Sequence, residues 1–366
     1  MKNIELLLST VNEINHISIN GSTISIKTKS LSGKEIYKIL ETIKWANNRF
    51  PRNRFTIAIK SNRFASSDVV SVLEIIMLFL SINYPRLWKI DFKDQRLIKN
   101  NILYNNSLLA KYNNELLGAS FAKDFNSKVL RLEHYRAIIS LNDFLEDNKS
   151  VSAYCDDIFS YLKHTGISET LYCDLFEACS EVINNVFDHT ETDCLVDIKC
   201  STVVTGQKYF SINIISLSDV FIGTKLIELL KNNKINEYSG ANIVLKAFDF
   251  HSKYFSQEYD LESFGFVCSF QNRVSTRGNS TQSGGTGLTT LIKKIHGKKT
   301  QEEYYSYIIS GKNMLNLKTD YLTVDSNGLI GFNDNNDFYS TIPSKEIIMK
   351  EERVFPGTIF SISLLL

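Results

Sequence analysis

Proline is scarce. Four occur in 366 residues and none lies between Pro85 and Pro343, so no Pro-rich linker marks a domain boundary through the middle of the chain. Cysteine is sparse and irregular: the residues at 155, 173, 179, 194, 200 and 268 form no CxxC pair and no regular spacing. That excludes a disulfide framework, and scattered thiols without a secretion signal point to a reducing, cytoplasmic setting. Net charge is +1, with no basic stripe, so no field gathers nucleic acid or a membrane surface, and neither is an expected partner. Long apolar runs are missing too. The greasiest stretch, Val69 to Ile82, is broken by Glu74 and is too short to span a bilayer. The opening MKNIELLLSTVNEINH has too short an apolar run for a signal peptide.

What is present is globular. Hydrophobic residues make up 43% and charged residues 22%, enough to build two or three cores. Residues 1–95 alternate strand and helix. The strands are Thr23–Thr28, Phe55–Lys60 and Trp88–Phe92; the helices are Ser32–Arg49 and an apolar one beginning at Ser66–Asp68. Residues 96–166 read as an amphipathic helical connector or dimerisation surface, including LRLEHYRAIISLNDFL. Within it His134 reads as a helix-surface histidine and not a phosphoacceptor, because Tyr135 follows it and no proline is near.

The centre of the chain is a predicted helix, Leu171–Thr190. Glu181, Asn185 and His189 recur every four residues and form one ridge, beside an apolar stripe of Leu175, Cys179, Val182 and Val186. A carboxylate can orient or deprotonate water. An amide oxygen one turn later can coordinate Mg²⁺ without adding charge. An ordinary amphipathic helix with a solvated face accounts for the same residues equally well. After it come strands Cys194–Thr202 and Tyr209–Ser216, and then Asp219 with Gly223 four residues on. A carboxylate there can accept a hydrogen bond from an exocyclic amine, and glycine lets backbone approach a ring. Ser275–Ile295 is Gly-rich and runs into a helix near Leu288, an arrangement that holds phosphate on backbone N–H groups. Further strands are expected at Tyr304–Ile309, Leu329–Phe332 and, after a Phe355–Gly357 turn, along the final period-2 segment.

Taken in order, Glu181-xxx-Asn185-xxx-His189, Asp219-xxx-Gly223, Gly284-Gly285-Thr286-Gly287-Leu288 and Gly357-Thr358 resemble the GHKL, or Bergerat-fold, ATPases. That superfamily includes gyrase, mismatch-repair ATPases, sensor histidine kinases and anti-sigma serine kinases. The resemblance covers residues 167–366 and implies a two-layer α/β domain with a mixed sheet, helices on one face, and Mg-ATP bound between a helix and a mobile lid. It implies Glu181 as the catalytic carboxylate, Asn185 as the Mg²⁺ ligand, and Asp219 with Gly223 at the adenine. Gly284, Gly285, Thr286, Gly287 and Leu288 would hold the phosphates, Thr358 would lie by the adenine, and Glu237–Gln282 would include the lid. One departure stands out: the family's second box is Asp-x-Gly-x-Gly, and Phe221 replaces its first glycine. Residues 1–95 resemble a STAS-type domain through Ser66, Ser67 and Asp68 before a helix. Together these imply an ATP-binding regulatory protein that hydrolyses slowly or phosphorylates a protein partner. The alternative is a non-catalytic nucleotide-gated module that switches a partner or a homodimer.

Overall fold

The computed structural model describes residues 1, 3–12, 22–93, 107–142, 150–202, 206–237, 240–274, 288–289, 292–293 and 306–365. After a short helix α1 (Leu6–Ser9), strands β1 (Thr23–Lys27), β3 (Phe55–Lys60) and β5 (Trp88–Phe92) form a parallel three-stranded sheet. A two-residue parallel pair, β2 (Ser30–Leu31) and β4 (Arg63–Phe64), lies beside it. Crossovers are made by α2 (Gly33–Arg49) and α3 (Ser67–Asn83). A capping box starts α2: Ser32 N–H donates to Glu35 Oε2 at 3.2 Å, and the Ser32 hydroxyl donates to the same oxygen. Every residue of α3 from Ser67 to Ser81 is buried, as a helix apolar nearly all round must be. It packs on α2 and β5, on a second sheet, and on α5 (Ala119–Asn126), which follows the four-residue α4 (Leu108–Lys111).

The second sheet has six strands. In chain order these are β6 (Val129–Arg131), β7 (His134–Ile139), β8 (Cys194–Thr202), β9 (Lys208–Ser216), β10 (Tyr307–Asn316) and β11 (Ile348–Leu365). Their spatial order is β10-β11-β9-β8-β7-β6. Helices α6 (Ser150–His164) and α7 (Glu169–Thr190) precede β8, and α8 (Thr224–Lys231), α9 (Ala241–His251) and α10 (Leu261–Cys268) follow β9. The α/β class is therefore as expected. The mixed sheet is not: every described pairing in the six-stranded sheet is antiparallel, and parallel pairing is confined to the first unit.

Three further expectations are corrected. The 96–166 connector is not helical throughout, because β6 and β7 form a hairpin on the edge of the large sheet. There Tyr135, Ala137 and Ile139 alternate into the helix-side core with Ile158, Tyr161 and Leu162 of α6, so β7 and α6 join the C-terminal core. His134 is a buried strand residue, with Nε2 2.7 Å from Asp197 Oδ1. Leu329–Phe332 forms no strand. The side chain of Gln271 takes the place of a ladder there, accepting from Ile330 N–H at 2.8 Å and donating to its carbonyl at 3.0 Å.

The two faces of the large sheet follow the period-2 rule. Val196, Ile198, Phe210, Ile212, Ile214, Ile362 and Leu364 face α6 and α7 in one core. Leu195, Tyr209, Ile215, Leu217 and Ile359 share the other core with α2, α3 and the three-stranded sheet.

Candidate functional site

The helix α7 follows Ser168, whose side chain makes no capping hydrogen bond, and stops at Glu191, which takes a left-handed conformation (φ 48°). Its stripe of Leu175, Cys179, Val182 and Val186 is buried against the sheet, which aims the seam of the helix at the end of β9. At that seam lies a cavity of about 360 Å³. Its walls are largely apolar (Val186, Val220, Phe221, Ile222, Leu226, Leu288 and Phe360), and its polar lining residues are Asn185, Thr190, Ser216, Thr224, Ser269 and Thr358, besides the charged rim. Glu191, Lys225 and Glu228 are exposed at its rim. An apolar chamber with a few placed polar groups is the usual make-up of a small-molecule site.

Two of those polar groups are unspent. The amide nitrogen of Asn185 and the hydroxyl of Ser216 are buried without a hydrogen-bond partner. Leaving a buried donor or acceptor unmade costs roughly 1–3 kcal/mol, and these two belong to residues that line the same cavity. Thr358 is buried on β11, directly opposite Ser216 of β9 and Ser310 of β10. Its hydroxyl lies 2.8 Å from Ser310 Oγ, which accepts from Ile222 N–H at 2.8 Å.

The sequence-derived residues divide. Asn185, Gly223, Leu288 and Thr358 line this one cavity. Glu181 is half-buried one turn earlier on α7 and does not line it. Asp219 is exposed and also lies outside the lining. Gly223 is at φ 89°, and a Cβ there would stand 2.5 Å from the Gly265 carbonyl carbon; its glycine is demanded by the approach of α8 to α10. Gly284, Gly285, Thr286 and Gly287, with the side chain of His189, fall outside the described residues. Phe221 lines the cavity and lies over Gly311, where a Cβ would stand 3.0 Å from the ring.

Sequence reasoning missed Ser216. Its signal was in the alternation of YFSINIIS, where Phe210, Ile212 and Ile214 predict a fourth apolar residue and a serine stands instead. Ser66 and Ser67, matched above to a STAS-type loop, are buried. Ser66 Oγ lies 3.0 Å from the Tyr307 hydroxyl, and Ser67 donates to Asn213 Oδ1 at 3.0 Å. A second, larger cavity of about 590 Å³ lies on this side of the sheet, between the starts of α2 and α3 and strands β10 and β11. Burial raises the carboxyl of Asp68 in its wall.

Among the described residues no cluster of three or more His, Cys, Asp or Glu could hold a metal ion, and no helix is long and apolar enough to cross a membrane. Compared with known protein families, curated proteins and solved structures, the chain gives no match.

Proposed function

We propose that the chain is a purine-nucleotide-binding regulatory module whose ligand, ATP with Mg²⁺, enters the cavity beside α7. The observation that carries this is the cavity itself. Asn185, Gly223, Leu288 and Thr358 come from four separate stretches of the chain, and they line one chamber whose polar groups are partly unspent. The order of the boxes in the sequence supports the same reading. Asn185 would offer its amide oxygen as the one neutral protein ligand of a Mg²⁺ ion held mainly by phosphate oxygens, while its unpartnered atom, the amide nitrogen, is a donor suited to a phosphate oxygen. When bound, the ion would neutralise phosphate charge beside the exposed Glu191 and Glu228.

Binding is favoured over turnover because Glu181, the carboxylate suited to activating water, does not line the cavity. Slow hydrolysis or transfer to a protein partner is the second reading, supported by the place of Glu181 one turn from Asn185 on the same ridge. The first unit, docked on the opposite face of the sheet, is the nearest candidate for reading the nucleotide state; a second copy or another protein is the alternative.

Calorimetry on the full chain tests the first reading. Wild type should bind Mg-ATP, and Asn185→Ala should weaken it about tenfold, the cost of one contact to a charged group. No binding by wild type would overturn the proposal. Phosphate release by wild type, lost about 10²- to 10⁴-fold in Glu181→Gln, would replace the module with an enzyme.

A further inference from the structure

We infer that the base of the nucleotide is read by the hydroxyls of Ser216 and Thr358, so that the cavity accepts 6-amino and 6-oxo purines alike. This rests on the nucleotide reading given above. Ser216 is the last residue of β9, 1% exposed, with an Oγ that has no partner within the fold. Its neighbour across the ladder is Thr358, and the next in line is Ser310. Directly opposed residues of antiparallel strands project to the same face. The three hydroxyls therefore form a row across β9, β11 and β10, on the face that carries Phe210, Ile214 and Phe360. Thr358 and Ser310 hydrogen-bond each other, and Ile222 N–H donates to Ser310; the hydroxyl at the Ser216 end of the row is buried without a partner.

The chemistry of the row differs from that of a carboxylate. An ionised carboxylate only accepts, so it selects a purine that offers an exocyclic amine. A hydroxyl rotates to donate or accept, and it meets an amine or a carbonyl oxygen equally well. Asp219, the carboxylate that would impose the first rule, is exposed and outside the cavity lining. The apolar walls, Phe221 and Phe360 among them, suit the faces of any purine without distinguishing its edge.

Calorimetry with Mg-ATP and Mg-GTP on the full chain, in wild type, Ser216→Ala and Asp219→Asn, tests the inference. Wild type should bind the two nucleotides within about fivefold of each other, a difference near 1 kcal/mol. Ser216→Ala should weaken both by about fivefold, the usual worth of a neutral hydrogen bond. It should not lower the melting temperature of the ligand-free protein, because no partner within the fold is lost. Asp219→Asn should leave both affinities within about twofold. A preference for ATP of about a hundredfold, abolished in Asp219→Asn, would overturn the inference while keeping the nucleotide site. So would unchanged affinities in Ser216→Ala together with a lowered ligand-free melting temperature. Failure of wild type to bind either nucleotide would instead overturn the site itself, and the hydroxyl reading with it.

Discussion

The two faces of the six-stranded sheet are both buried, yet one is almost wholly apolar while the other sets charged and polar side chains among its apolar ones, Leu195, Ile215 and Ile359. Toward α6 and α7 the strands present Val196, Ile198, Phe210, Ile212, Ile214 and Ile362. Toward α3 the same strands present His134, Arg136, Asp197, Lys199, Ser211, Asn213, Ser361 and Ser363, all buried. That polar face is closed by specific bonds. Asp197 meets His134 at 2.7 Å, Lys199 at 3.2 Å and the hydroxyl of Ser71 at 2.8 Å. Arg136 faces Glu74 at 3.4 Å and stacks on the Phe125 ring. The first face is the interior of a domain. The second has the composition of a solvated sheet surface that another unit has come to cover, and interfaces between units of one chain are commonly this polar. An apolar core stabilises through area removed from water, whereas a buried charge network roughly breaks even and instead fixes which surfaces meet and in what register.

That contrast can be broken most forcefully by deletion on each side. Phe210→Ala should cost about 3–5 kcal/mol in denaturant unfolding, as large cavities in packed cores do. Asp197→Ala should cost a similar ~3–5 kcal/mol, because it strands Lys199 and His134 without their counter-charge. The two then part company. Replacing His134, Asp197 and Lys199 together by apolar residues of similar volume should restore stability to within about 1–2 kcal/mol of wild type. No combination of polar residues should rescue Phe210→Ala. A triple variant as unstable as Asp197→Ala would erase the distinction between the faces.

Acid sharpens it next. Burial pushes the Asp197 carboxyl up, but the Lys199 ammonium and the His134 ring outweigh it and hold the group well below the usual carboxylate range. Its folded pKa is depressed, so the stability it contributes is present above its ordinary value of 3.8 and is lost as pH falls below it. Asp68 has the reverse sign. Burial raises it, so its contribution is complete below 3.8 and is lost as pH rises through the raised value. Unfolding measured from pH 2 to 7 should therefore show Asp197→Asn flattening the acid limb and Asp68→Asn removing a loss on the rising side. Identical pH profiles for all three proteins would show that neither carboxyl titrates with folding. The smallest effect is at a single hydroxyl: Ser67→Ala should cost about 1 kcal/mol, the net worth of its bond to Asn213.

Much of this was legible before any coordinates. The helices α2, α3 and α7 and strands β3, β5, β8 and β9 follow directly from periodicity. Asp197, Lys199, Ser211 and Asn213 have the polarity of a solvated strand face, so nothing local in β8 and β9 announces the unit that covers them. The β6–β7 hairpin was missed because HYRAII carries charge and apolar residues in a stretch that a helical wheel also accommodates. Gln271 standing in for a strand partner of Ile330 is a long-range event that no local pattern announces. Asn185, Gly223 and Thr358 were singled out through the ordered boxes of the family resemblance, and the structure brings them to one cavity; at Gly223 the close approach of Gly265 is by itself a structural reason for glycine. Ser216 was passed over as one more strand serine; unlike Ser211 and Ser363 it lies on the helix-side face of the sheet and its hydroxyl has no partner.

Gly311 belongs to the wall of the larger cavity and Phe221 to the wall of the smaller, and ring and backbone lie against each other. The two cavities thus meet at one contact between a glycine and an aromatic ring. A methyl group added at residue 311, besides straining a backbone held at φ 61°, would press from the side of the larger cavity on the ring that walls the smaller one.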